Sequence, residues 1–221
     1  MIRIGIDINH VLRDINAAFV RAYDKEFRKD HHAMDAKERE NMDIFGPLKE
    51  FPFPSKKLRA EFFEKEYTYE IYGAAVHSEN MLIGRFSEWR RDRIDYADED
   101  IDLIFFSVGE NELQYSSTTF FLSKGLRPKH ILYVDTPEEI WAACDAIVTA
   151  DKRVIEAQPE GKVSFLLKRD FNKDVQDEAD YTYKYTSDML NDKEFVTKAM
   201  TKTTNNHKKS WTKRIRRFLK G

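Results

Sequence analysis

The sequence predicts one α/β domain, a Rossmann-like parallel sheet with a small helical cap inserted after the first strand and helix. Three observations predict this fold class. A short apolar strand opens the chain at residues 2–6, and about 90 residues of mainly helical pattern follow it. After residue 100, four apolar strands alternate with helical segments, which is the pattern of parallel βαβ units.

The bulk composition sets the limits for this fold. A chain of 221 residues, 41% of them hydrophobic, is long enough for one domain or for a core domain with an inserted cap. Its longest apolar runs, such as residues 101–108, are far shorter than the roughly 20 residues of a membrane helix. Cys144 is the single cysteine, which excludes an internal disulfide. Because residues 2–6 do not resemble a secretory signal, we expect a cytoplasmic protein.

The first half of the chain holds the predicted cap. Apolar positions at helical spacing indicate helices at about 13–28 and 79–93, and Ser55 is a predicted N-cap for a helix over 56–70. The cap is rich in aromatic residues, most of which we expect to form its core. We therefore predict a core of residues 1–28 and 99–175 and a cap at 29–98.

The second half of the chain alternates between strands and helices. Short apolar runs predict four strands, at 101–107, 130–134, 146–149 and 163–167. The intervening helices are predicted at 112–124, 137–144 and 152–158. Thr136 and Glu139 have the spacing of a capping box at the start of the second of these helices. A C-terminal helical segment is predicted at 176–200, followed by a basic amphipathic tail at 201–221.

Short polar residues follow the predicted strands at the positions where each strand ends. They are Asp7, Asn9, Ser107, Asp135 and Asp151. The carboxyl ends of parallel strands meet at one edge of a sheet, where open α/β sheets keep their ligand sites. Carboxylates there could hold Mg²⁺, one of them could attack a phosphorus centre, and a hydroxyl could bind the transferring phosphoryl group. The competing interpretation is that such residues simply end strands and cap helices.

The motif around Asp7 resembles a known family. Residues 4–14 read Ile-Gly-Ile-Asp-Ile-Asn-His-Val-Leu-Arg-Asp and are similar to the first motif of the haloacid dehalogenase-like superfamily, closest to its deoxyribonucleotidase-like branch. In this resemblance Asp7 falls on the nucleophile and Asp14 on a trailing acid. The resemblance also implies that one or two of the cap aromatics stack on a nucleobase. Ser107 resembles the second motif and residues 147–153 the fourth, so the likeness extends over about residues 1–172.

The resemblance implies a Mg²⁺-dependent phosphohydrolase of nucleotidase-like type, which acts on a small phosphomonoester through an aspartyl-phosphate. The residues it assigns are Asp7 and Asn9 for catalysis, Asp7, Asn9 and Asp151 as Mg²⁺ ligands, and Ser107 and Lys124 for phosphate binding. A phospho-accepting receiver domain would also place an aspartate at a strand end. It would use a middle strand, however, and would lack the cap.

Several positions depart from the family pattern. Asn9 replaces the aspartate that serves as general acid and base, and an amide cannot transfer a proton in this way. His10 replaces the usual glycine and could act as a substitute titrating group. Ala150 replaces an acid, and the family lysine has no counterpart at its usual place, although Lys124 or Lys129 could reach the site. The alternative prediction is therefore an inactive binding or assembly protein.

The C-terminal tail has a charge opposite to that of the rest of the chain. Residues 201–221 contain eight Lys or Arg residues and no acid, which leaves 29 basic and 39 acidic residues elsewhere, a net charge of −10. Apolar residues at helical spacing predict a basic amphipathic helix there. Trp211, Arg214 and Arg217 are the predicted partner-binding residues. The tail could pack on its own acidic body, bind a partner protein, or contact nucleic acid or an anionic membrane.

Overall fold

The structure, a computed structural model, describes residues 1–27, 51–95 and 101–200. Its strands are β1 (Ile2–Asp7), β2 (Arg13–Asp14), β3 (Val76–His77), β4 (Ile101–Val108), β5 (His130–Val134), β6 (Ala146–Thr149), β7 (Val163–Leu167) and β8 (Tyr181–Tyr183). Six of them form a parallel sheet in the order β5-β4-β1-β6-β7-β8. The predicted Rossmann-like α/β fold class is confirmed, with β1 in the interior of the sheet between β4 and β6.

Helices connect these strands and cover both faces of the sheet. They are α1 (Ile15–Phe27), α2 (Lys56–Glu61), α3 (Leu82–Arg90), α4 (Glu112–Ser123), α5 (Pro137–Ala143), α6 (Lys152–Glu156) and α7 (Thr186–Asn191). Short π-helical turns extend the cap helices at Phe62–Glu66, Tyr69–Gly73 and Arg91–Asp95, and a 3₁₀ helix spans Asp170–Val175. The Ser55 hydroxyl accepts the amide of Leu58 and caps α2 as predicted. The Thr136 side chain makes no such bond at α5; Glu139 instead accepts the amide of Asp135.

The cap aromatics form a separate cluster around α1. Phe19 packs against Phe51 and Phe62, and Phe62 also contacts Tyr67. Each of these four rings is buried. Because aromatic side chains bury a large area each, a small helical layer can form a core of its own from them. This packing favours the core role over nucleobase stacking for these rings.

Helix α3, which lies within the predicted cap, packs on the sheet rather than on this aromatic cluster. Leu82, Phe86 and Trp89 are buried in the main core together with Phe105 of β4. The apolar face of α3 is therefore the cover for one face of the sheet. The division at residues 29–98 stays a prediction, and this packing favours a cap that ends before Leu82.

The sheet contains one strand more than the sequence pattern predicted. Tyr181 and Tyr183 belong to β8, inside the segment 176–200 that was predicted to be helical, so that prediction is wrong for these residues. The side chain of Phe165 on the neighbouring strand stacks on both tyrosine rings, with centroids 5.2 and 6.2 Å away. Cross-strand aromatic contacts stabilise a strand that is too short to show a clear period in the sequence. Within the described ranges, no helix is long and apolar enough to cross a membrane.

Candidate functional site at the carboxyl edge of the sheet

Asp7 is the last residue of β1 and lies at the carboxyl edge of the sheet with only 3% of its surface exposed. Both of its carboxyl oxygens accept hydrogen bonds. The backbone N–H of Asn9 donates to Oδ1 at 3.0 Å, and the Thr149 hydroxyl at the end of β6 donates to Oδ2 at 2.6 Å. Groups at the ends of β1 and β6 therefore fix the orientation of the Asp7 carboxyl group.

Burial raises the pKa of Asp7 to about 8. The largest cause is desolvation of the charged form, and the nearby carboxylate of Asp151 acts in the same direction. The hydrogen bonds from Thr149 and Asn9 and the charge of Arg13 act in the opposite direction. Burial of Asp7 therefore favours the protonated form of its carboxyl group when no cation is bound beside it.

Asn9 and Ser107 are brought together, as the strand-end pattern predicts. The Asn9 amide nitrogen Nδ2 donates to the Ser107 hydroxyl oxygen at 2.9 Å. Its carbonyl oxygen Oδ1 accepts Nε of Arg13 at 2.8 Å. The Asn9 side chain is thus used as a donor and an acceptor at once, which an aspartate carboxylate cannot be.

Arg13 is the feature of the site that the sequence analysis missed. Its side chain has no exposed surface. The guanidinium hydrogen-bonds to Asn9 Oδ1, to the Tyr72 carbonyl oxygen and the Thr118 hydroxyl at 2.8 Å each, and to the Glu110 carboxylate. It also lies 5.1 Å from the centroid of the Tyr72 ring. One side chain thereby connects the loop after β1, the cap and helix α4.

Glu110 supplies the charge that compensates this buried cation, and it is itself only 2% exposed. Its Oε1 accepts the Ser107 hydroxyl at 2.6 Å, and its Oε2 accepts the Thr118 hydroxyl at 2.7 Å. It follows Gly109, whose φ of 76° lies in the left-handed region that favours glycine. A glycine directly after an apolar strand, followed by an acid, was the signal in the sequence that could have drawn attention to Glu110.

Asp151 lies near Asp7 but is paired with another residue. The Arg153 side chain contacts both of its carboxylate oxygens, with Nε at 3.0 and 3.1 Å and Nη2 at 2.5 Å. Oδ1 of Asp151 also accepts the backbone amide of Arg153 and caps helix α6. Asp151 therefore has the geometry of a helix cap and an ion-pair partner.

The predicted Mg²⁺ ligands Asp7 and Asp151 are engaged with other groups in this arrangement. The oxygens of Asp7 accept hydrogen bonds, and those of Asp151 face Arg153. Within residues 1–27, 51–95 and 101–200, no group of three or more His, Cys, Asp or Glu side chains is placed to hold a metal. A divalent cation would have to displace Arg153 and the proton of Asp7, so the magnesium assignment stays a prediction.

His10, the candidate substitute acid, is buried beside Phe171, with ring centroids 5.2 Å apart. Desolvation, together with the positive charges of Arg169 and Arg13, lowers the pKa of His10 to about 3. A general acid must carry an acidic proton at its working pH, and a neutral imidazole has already lost the proton of the imidazolium form. The φ of 61° at His10 explains why a glycine suits this position in the family pattern.

The two candidate lysines and the trailing acid have other contacts. Lys124 Nζ donates to the Gly73 carbonyl oxygen at 2.9 Å and lies 4.7 Å from the centroid of the Phe120 ring. Lys129 lines a cavity beside the start of β4, opposite to the end that carries Ser107. Asp14 accepts the amide of Ala17 in the first turn of α1. Trp211, Arg214 and Arg217 lie outside the described residues.

Comparisons with known proteins support the fold. No protein-family model and no curated protein matches the chain. Among solved structures, the chain is similar to a conserved haloacid dehalogenase-like protein of unknown function from Agrobacterium tumefaciens, with a TM-score of 0.54 and 12% sequence identity. The match covers 85% of this chain and 95% of that one. The chain thus has a haloacid dehalogenase-like fold, and likeness at this identity concerns the fold alone.

Replacing Arg13 tests the buried network. We expect Arg13→Met to lower the free energy of unfolding by about 3–5 kcal/mol, because it leaves the Glu110 carboxylate buried without its counter-charge. Adding Glu110→Met should restore part of the loss, because both charges are then gone. Lys25→Met, in the exposed pair with Glu70, is the control and should change stability by about 1 kcal/mol or less. Urea denaturation measures all three variants. A double variant that is no more stable than Arg13→Met would contradict the coupling.

The raised pKa of Asp7 predicts a specific pH dependence of stability. Between about pH 4, where the unfolded carboxyl titrates, and about pH 8, the folded protein holds a proton that the unfolded chain has released. This group's contribution to stability is therefore complete below pH 4 and is lost as the pH rises to 8. Asp7→Asn removes that dependence, so we expect the variant to gain stability relative to the wild type across this range. A constant difference in urea denaturation from pH 4 to 8 would contradict the assignment.

Proposed function

We propose that this protein is a haloacid dehalogenase-fold binding or assembly protein in which the catalytic edge of the sheet has become part of the buried structure. The observation that carries this proposal is the engagement of Ser107. Its hydroxyl donates to Glu110 and accepts from Asn9, so it has no donor left for a phosphoryl oxygen. A phosphate ester would have to break the network around Arg13 to reach it.

The groups that a phosphotransfer reaction needs support the same proposal. Asn9 cannot protonate a leaving oxygen, and loss of a general acid or base typically costs about 10²–10⁴ in rate. His10 is neutral at neutral pH and buried, so it does not replace that acid. Each of these features lowers turnover, while none of them prevents the fold from presenting a binding surface.

The partner-binding part of the proposal rests on charge. An acidic body with a net charge of −10 carries a basic tail of eight Lys or Arg residues at 201–221. We propose that Trp211, Arg214 and Arg217 contact a partner protein, because the basic amphipathic helix that the sequence predicts for these residues would suit an acidic, partly apolar groove. A nucleic acid or an anionic membrane is the alternative partner for the same charges.

The second candidate function is the Mg²⁺-dependent phosphohydrolase of nucleotidase-like type. One observation favours it: Asp7 stands at the carboxyl end of β1, with Asn9, Ser107 and Asp151 near it, in a haloacid dehalogenase-like fold. In that case Asp7 would be the nucleophile. This chain's own residues would orient its carboxyl group through Thr149 and the Asn9 amide.

Assays of phosphatase activity separate the two candidates. We expect the purified protein to release no phosphate above the blank from a panel of nucleoside monophosphates and other phosphomonoesters with Mg²⁺, at pH 5–9. Asn9→Asp should not raise the rate, because the new carboxylate would pair with Arg13 and lose its donor to Ser107. Turnover by the wild type that Asp7→Asn abolishes, or a gain of about 10²-fold in Asn9→Asp, would favour the enzyme instead.

A charge-reversed tail tests the proposed partner contact. We expect the tagged full-length chain to retain a partner protein during affinity purification from its host. The triple variant Trp211→Ala, Arg214→Glu, Arg217→Glu should lose that protein. Lys56→Glu, Lys57→Glu, in exposed positions of the body, is the matched control and should retain it. Loss of the partner on nuclease treatment would indicate nucleic acid, and equal recovery by both variants would contradict the contact.

A further inference from the structure

Three donors converge on the Glu110 carboxylate from three separate elements. They are the guanidinium of Arg13, the hydroxyl of Ser107 at the end of β4 and the hydroxyl of Thr118 on α4. Arg13, Ser107 and Thr118 have no exposed surface. A cation and two hydroxyls directed at one point form the donor set that proteins use for phosphate and carboxylate groups.

The buried positive charge of Arg13 requires an anion beside it. The other groups that accept from the Arg13 guanidinium are the neutral oxygens of Asn9, Tyr72 and Thr118. Among the hydrogen-bond partners that the structure describes for it, Glu110 is therefore the one that carries a negative charge. A buried guanidinium without a counter-ion is strongly destabilised. If the carboxylate were removed, the donors would remain in place and would attract another anion.

We propose that Arg13, Ser107 and Thr118 form an oxyanion pocket that Glu110 fills with its own carboxylate. The ligand class is a small oxyanion of the size of inorganic phosphate, and Glu110 is its internal competitor. This inference does not depend on the proposed function, because the three donors around the Glu110 carboxylate are the same whether or not the protein turns over phosphate esters.

The turn that carries Glu110 keeps the pocket closed in the wild type. The Gly109 amide donates to the Val134 carbonyl oxygen at 2.8 Å, which holds the start of the turn on β5. Asn111, at its end, caps α4 by accepting the amides of Leu113 and Gln114. Glu110 is held between these two anchors. We therefore expect the wild type to show no specific effect of phosphate.

The test is the anion dependence of thermal unfolding in full-length Glu110→Ala. We expect a lower midpoint than in the wild type, and a rise of roughly 5 °C when inorganic phosphate replaces chloride at about 20 mM and equal ionic strength. Formate is the second probe, because it matches the lost carboxylate but not phosphate. Glu112→Ala, which removes an exposed acid two residues away, is the matched control and should show no phosphate effect.

The following outcomes would contradict the proposed oxyanion pocket. Rescue by formate without rescue by phosphate would show a space for a carboxylate only. An equal phosphate effect in the wild type, or in Arg13→Met with Glu110→Ala, would show that the anion binds elsewhere. If Glu110→Ala does not fold in chloride, refolding from urea with phosphate replaces the midpoint measurement. Failure of phosphate to restore the folding of Glu110→Ala in that refolding experiment would also overturn the proposal. Phosphatase activity enters none of these readouts, so this test can fail while the proposed function stands.

Discussion

The structure around the candidate site depends on the burial of one cation. Removing a guanidinium from water costs several kcal/mol unless its donors and its charge are both satisfied. Arg13 meets this condition with partners from the loop after β1, the cap, the end of β4 and helix α4. Core and cap are therefore joined by a polar network with a defined geometry, whereas the apolar clusters on either side of it only need suitable volumes.

This constraint explains the unusual residue types at the carboxyl edge of the sheet. Position 9 needs a side chain that accepts from Arg13 and donates to Ser107, and an asparagine amide does both while an ionised aspartate only accepts. Position 110 needs a negative charge that also accepts two hydroxyls. Ser107, the predicted phosphate-binding residue, is hydrogen-bonded to Asn9 and Glu110, which are both partners of Arg13.

The haloacid dehalogenase-like fold does not by itself determine the chemistry at the carboxyl edge of the sheet. The similarity to the Agrobacterium tumefaciens protein extends over most of both chains at 12% identity, and it describes how strands and helices are arranged. A shared fold fixes where the strand ends lie, and the residues at those ends decide the chemistry. At this edge they include the buried carboxyl group of Asp7, the amide of Asn9, and Asp151, which is paired with Arg153.

The sequence by itself determined the parallel sheet and four of the strands after the first helix, because apolar runs and strand ends are local patterns. It also determined the meeting of Asp7, Asn9 and Ser107, because parallel strands finish at one edge of a sheet. It did not reveal β8, whose pairing depends on Phe165 in another strand. It also did not reveal that Arg13 and Glu110, 97 residues apart, form one buried pair. Either residue alone has the pattern of an ordinary surface charge. Only the tertiary structure places them together, because long-range packing of the cap on the core removes both from water at the same point.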